Sequence, residues 1–245
     1  MSDNHNTRRN FIRNSLLGAF SLGAVPDFLF AEHYLPLHEK KLSPGVMKDD
    51  GEPVRVAFVC HKYFILSHAD VIGTKLFTGF PTDDGMLKPA IKVVSMHIAQ
   101  VKDNDIGVRI AEMNKVPLYP TVAEALTLGG EKLAVDGVIY VGEHGDYPYN
   151  RLGQKLYPRL NFLEQIFRVF DASGRSVPLF TDKALSYSWL DSMWIYNRAK
   201  ELNVTMMAGS SAPYWWRNPI LEHPIGTKIT EAVAIGYSTL DAYGF

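Results

Sequence analysis

The chain holds a single cysteine, Cys60, which excludes an intramolecular disulfide. Stability must therefore come from an ordinary apolar core, and 47% hydrophobic residues are enough to build one. Charge of one sign is also missing. A net charge of -1 argues against a nucleic-acid binder. Beyond the first thirty or so residues no apolar run approaches the roughly 20 residues that a membrane-spanning helix needs. Internal repeats and low-complexity tracts are absent. So is glycine between Cys60 and Ile65, just after the first strong apolar run.

The N-terminus does carry a pattern. Thr7-Arg8-Arg9-Asn10-Phe11-Ile12-Arg13 precedes an apolar run from Ser15 to about Val25 that contains Gly18 and Gly23 and ends at Pro26. Paired arginines, an aromatic and an aliphatic residue, then a modest apolar segment form the pattern read by twin-arginine translocation. Residues 1–31 are therefore expected to be an export signal and 32–53, with Pro36, Pro44 and Pro53, a polar linker. The expected location is periplasmic or otherwise extracytoplasmic. Leu29 sits two residues before Ala31, a poor small-x-small cleavage pattern, which leaves an uncleaved anchor open.

From Val54 onward, short β-branched runs alternate with segments of helical period. Val54–Cys60 reads as a buried strand, and Ile72, Leu76 and Phe80 then recur every four residues as on a helix. A loop over 81–89 leads to a second strand, Ile91–Ile98. Ile106, Ile110 and Met113 mark a helix, 116–119 a short third strand, and Thr121 with Glu124 a capping box opening the next helix. Gly137–Val141 is a fourth strand. Leu163, Ile166, Phe167 and Phe170 stripe a long helix that stops near Gly174, and 177–180 forms a fifth strand. A helix through Leu190, Met193 and Asn197 runs to Leu202, before a sixth strand over 204–208.

Alternating strands and helices, with strands apolar on both faces, mean a parallel sheet covered on both sides. The fold class is α/β: a doubly wound, mostly parallel Rossmann-like sheet over 54–212. Lys228 to Tyr237 reads as a strand without a preceding helix, so 213–245 is expected to be the start of a truncated second α+β domain.

Ligands of such sheets bind beyond the carboxyl ends of the strands. Those ends are dense in polar groups: His61, Lys62, Ser67, His68 and Asp70 after the first strand; Gly142, Glu143, His144, Gly145 and Asp146 after the fourth; Asp182 and Lys183 after the fifth. Cys60 at a strand end is more often a small buried hydrophobe than a nucleophile, and His97 within an apolar strand reads as an interior or edge histidine. Lys183, beside Asp182, suits polarising a substrate oxygen or joining a proton relay, against the alternative of a solvated loop lysine paired with Asp182. Gly142 and Gly145 of the loop with Glu143, His144 and Asp146 would let backbone amides approach a ligand, while its acid and imidazole supply acceptors.

Val108 to Leu126, Asp136 to Val141, and Val177-Pro178-Leu179-Phe180-Thr181-Asp182-Lys183-Ala184-Leu185 together resemble segments of the Gfo/Idh/MocA oxidoreductase family over about residues 54–245. The last segment is similar to that family's Glu-Lys-Pro stretch, which places the lysine on Lys183. The resemblance implies NAD or NADP as cofactor and a sugar or polyol as substrate, with Lys183, His144 and Asp182 as catalytic residues. His61, Lys62, Ser67, His68, Gly142, Glu143 and His144 would line the cofactor site, with no metal. A homo-oligomer is left open. The sequence departs from the family where its phosphate-binding glycines should follow the first strand, and where an acid should end the second, which instead offers His97 and Gln100. Two other readings stand beside this one. One is a metal-assisted enzyme using His61, His68, Asp70, Glu143, His144 and Asp146. The other is a non-catalytic binding protein on the same scaffold.

Overall fold

The computed structural model describes residues 52–82, 85–209, 226–231 and 233. In chain order the elements are β1 (Val54–Cys60), a π-turn (Asp70–Thr74) running into α1 (Lys75–Thr78), the hairpin strands β2 (Phe80–Thr82) and β3 (Gly85–Leu87), and β4 (Ile91–Ile98). They continue with α2 (Gly107–Met113), α3 (Val122–Thr127), β5 (Gly137–Val141), α4 (Arg159–Ser173), β6 (Leu179–Asp182), α5 (Trp189–Glu201) and β7 (Met206–Gly209).

The two-residue period of β1 builds both cores. Ala57 and Val59 pack with α3, α4 and α5 residues such as Leu126, Leu163, Phe167 and Ile195. Val56, Phe58 and Cys60 face the other way, onto Tyr63, Leu76, Met96 and Ala111. Burying an aliphatic or aromatic side chain of this size contributes about 1.5–3 kcal/mol. A strand apolar on both faces therefore belongs in the interior of the sheet.

The sheet order is β4-β1-β5-β6-β7, and every pairing in it is parallel. The expected third strand shrinks to a single bridge, Met96 to Leu118, fixed by Met96 N–H to the Pro117 carbonyl and Tyr119 N–H to that of Met96. That segment lies outside β4, so the chain fills the sheet as 3-2-1-4-5-6, the dinucleotide-binding order. The doubly wound α/β fold expected from the sequence is thus the observed one.

Three local expectations need correction. Ile72 and Leu76 do turn inward, but the helical stretch ends at Thr78, and Phe80 opens the β2–β3 hairpin instead of continuing a helix. The fifth strand starts later than 177: Pro178 has no N–H to donate, and although its carbonyl accepts from Val138 N–H at 2.9 Å, the first donor is Leu179 N–H, to the Thr205 carbonyl. Its far end runs through Asp182, which pairs with Gly209. At the expected capping box, Glu124 N–H does donate to Thr121 Oγ1 at 3.1 Å, but the Glu124 carboxylate accepts from the threonine hydroxyl at 2.8 Å rather than from the cap amide. The helix stop near Gly174 is as expected, with that glycine at φ 62°.

Residues 226–231 and 233 carry no strand; the rest of the expected strand to Tyr237 lies outside the described residues, as do the signal and most of the linker. Among the described residues, no helix is long and apolar enough to cross a membrane.

Candidate functional site

The chain order reverses between β1 and β5, so the ligand crevice of this fold lies beyond Cys60 and Val141. Three loops meet there, after β1, β5 and β6. Three of their residues other than glycine hold left-handed backbone, Leu66 at φ 64°, His144 at φ 63° and Lys183 at φ 59°. Such a conformation costs a side-chain-bearing residue on the order of 1 kcal/mol and persists only where the surroundings impose it.

For Lys183 the surroundings are plain. Its N–H donates to the Gly209 carbonyl at 3.0 Å, and its ammonium lies 3.3 Å from Glu143 Oε2. Glu143 is 3% exposed, and its other oxygen is held by Arg159 Nη2. Arg159, 1% exposed, also donates Nη1 to the carbonyls of Asp182 and Ala184, each at 2.8 Å. One guanidinium therefore fixes both the acid of the β5 loop and the turn that carries Lys183.

Asp182 belongs to β6 rather than to the loop, which explains its burial at 4%. Its carboxylate accepts a 2.6 Å bond from His68 Nδ1, reaching past the end of β5. The His68 ring lies 5.6 Å from that of His144, which also meets Phe64 edge-on at 5.0 Å. The structure thus gathers Lys183, Asp182, His68, Glu143 and His144 at the ends of three strands.

Other expected cofactor residues turn away. His61 is fully buried, joined to the Tyr140 hydroxyl at 2.9 Å and ringed by Tyr147, Tyr157 and Phe162. Burial, then the Arg159 charge, lowers its pKa to about 3, so it is a neutral core histidine and not a rim residue. Burial likewise pushes the Tyr140 hydroxyl and the Cys60 thiol well up. Gly142 makes room for a neighbour: a Cβ there would lie 2.6 Å from the Tyr140 hydroxyl oxygen. Ser67 is buried too, its Oγ accepting from the N–H groups of Phe64 and Asp70.

Lys62 reaches outward to Asp146 at 3.0 Å, and Lys102 joins the same carboxylate at 3.3 Å. These two lysines hold the Asp146 carboxyl below its ordinary range. Asp146 N–H also donates to Gln100 Oε1, so the loops after β1, β4 and β5 are laced together. Among the described residues, no three His, Cys, Asp or Glu side chains gather as a metal site. The set weighed for a metal is dispersed into the core, the ion pairs and the turn.

The turn after β1 is where this fold seats a dinucleotide's pyrophosphate, on free backbone amides at a helix start. Here Phe64 and Asp70 N–H donate to Ser67 Oγ and Leu66 N–H donates to Asp70 Oδ2, while Asp70 places a carboxylate in the first turn. Three of the turn's amides are in use, and Asp70 sets a negative charge at the helix start. The residues of this turn do not fit a pyrophosphate, in agreement with the missing glycines.

Arg159 is the site residue that sequence reasoning passed over. Its signal was a cation at the start of a helix, directly after Pro158, where the helix dipole favours acids. Such a residue persists when buried partners hold it.

No protein-family model matches the chain, and no curated protein matches it. Among solved structures it is similar to GenD2 from gentamicin A biosynthesis, a complex with NAD, at 14% identity and a TM-score of 0.42, covering 64% of this chain and 34% of that one. It is similar to a biliverdin reductase from Synechocystis, in complex with biliverdin and NADP+, at 13% identity and 0.39, covering 64% and 37%. It is similar to the dehydrogenase MviM from Clostridium difficile at 8% identity and 0.39, covering 64% and 39%. The chain thus spans little more than a third of the length of these proteins. The fold assignment rests on the sheet order itself.

Proposed function

We propose that the chain is the nucleotide-binding portion of an exported oxidoreductase of the Gfo/Idh/MocA type, acting on a sugar or polyol with NAD or NADP. The observation that carries this reading is Lys183: held in left-handed backbone at the end of β6 and paired with buried Glu143, it presents a fixed ammonium beside the switch-point crevice. An ammonium in that place stabilises negative charge developing on a substrate oxygen. Because the β1 turn is filled by Ser67 and Asp70, the dinucleotide would be held by other rim groups, with Lys62 and Lys102 supplying positive charge.

The test is thermal unfolding of the purified protein with and without NAD+ and NADP+. Saturation at about a hundred times Kd stabilises by about 2.7 kcal/mol, a readable rise in Tm. Lys183→Met is expected to abolish turnover on a panel of sugars and polyols. If neither nucleotide moves Tm and none co-purifies, the reading fails. The filled β1 turn favours a second reading, a non-catalytic small-molecule binder, and that result would support it.

A further inference from the structure

We infer that His68, oriented by Asp182, is the proton carrier of this site; the inference rests on the oxidoreductase reading just given. His68 comes from the turn after β1 and Asp182 closes β6, yet their side chains meet at 2.6 Å. A carboxylate can only accept, so His68 Nδ1 donates, and in the neutral ring the lone pair is then on Nε2. Among the described residues nothing is bonded to Nε2, and the side chain is 35% exposed. The acid beneath it stands on a held backbone: Asp182 is part of the sheet, and its carbonyl is bonded by Arg159.

A buried acid behind a partly exposed imidazole is the arrangement that fixes a tautomer and stabilises the imidazolium formed during proton transfer. The groups facing it agree. His144 lies against the His68 ring, and Lys183, next in sequence to Asp182, brings an ammonium to the same rim. In the step assigned here, a substrate O–H bond breaks and its proton goes to His68 Nε2. The electron pair stays on the oxygen as an alkoxide, which the Lys183 ammonium stabilises. Asp182 balances the imidazolium and is a positioning residue; it does not itself take the proton. The reverse step protonates the oxygen again. His144, set edge-on to Phe64, is a neighbour of this pair and not the carrier.

Two measurements on the full chain decide the matter without a known substrate. Imidazole nitrogen-15 shifts of the wild-type protein should show His68 as the Nδ1–H tautomer. Carbethoxylation by diethyl pyrocarbonate at mildly alkaline pH, mapped by peptide mass, should label His68 several-fold more slowly in Asp182→Asn, whose amide can donate to Nδ1 and move the proton to Nε2. If Asp182 merely tethered the loop, loosening it would leave labelling unchanged or faster. That result, or an Nε2–H tautomer in the wild type, overturns the proposal. Where the sugar and polyol panel gives turnover, His68→Gln should lower it by about 10²–10⁴-fold, and undiminished turnover also overturns it. Failure of NAD(P) to raise Tm would sink the oxidoreductase reading, while the tautomer and labelling results would still decide the His68–Asp182 pair.

Discussion

Arg159 and Asp182 are joined through the main chain: Arg159 Nη1 donates to the Asp182 carbonyl at 2.8 Å, leaving the Asp182 carboxylate to His68. The same guanidinium neutralises Glu143. One buried cation thus sets the geometry of the β6 turn and the charge of the β5 loop together.

Arg159→Met should therefore destabilise strongly, by about 3–5 kcal/mol, because it strips a buried acid of its main partner and leaves two carbonyls without a donor. Urea unfolding measures this directly. Adding Glu143→Gln should recover a large part of the loss, since the uncompensated charge is then gone. A double variant no better than the single one would mean that the carbonyl bonds, not the ion pair, dominate.

Acid should find His61 early. Folded His61 titrates at about 3, against about 6.5 in an unfolded chain. The unfolded state thus takes up a proton that the folded state refuses. Stability from this group is complete above 6.5 and is lost as pH falls from there towards 3. By pH 4 the loss is on the order of 3 kcal/mol. His61→Phe should be weaker near neutrality, having left the Tyr140 hydroxyl without its partner, yet lose less between pH 7 and 4. Parallel stability-versus-pH curves for the two proteins would refute the assignment.

Gly107→Ala pits propensity against packing. Alanine favours a helix over glycine by about 1 kcal/mol at most. A Cβ at this position, however, would lie 2.6 Å from Ile98 Cδ1 and 2.7 Å from Tyr63 Cβ. Overpacking of that kind costs about 1–3 kcal/mol, so the variant should be less stable in chemical denaturation. A gain in stability would show that Tyr63 can move.

Strand positions were readable from β-branched runs, and Ile91–Ile98 has the bounds that the sequence suggests. Segments governed by one residue's backbone chemistry were harder to read. Pro178 delays the start of β6, and the pairing of Asp182 with Gly209 extends its far end into what reads as a loop. The rim was legible as a set of polar residues, because strand ends name themselves. Which of those residues face a ligand was not. His61 and His68 look alike in sequence, but only Tyr140 and the aromatic ring around it turn the first inward, and only Asp182 holds the second outward. Both partners are far away along the chain.

The place of β1 in the sheet has a kinetic consequence. Among the described strands it is the first to be synthesised, yet it lies between β4 and β5, and its second neighbour is complete only at Val141. At about 5–20 residues per second, an emerging chain holds the apolar stretch Val56–Cys60 half-paired for several seconds. Pairings so distant in sequence are slow to close even when the whole chain is present. Folding yield at the ribosome should therefore depend on what shields that strand during the interval, and chaperones that bind short apolar segments have their natural target there.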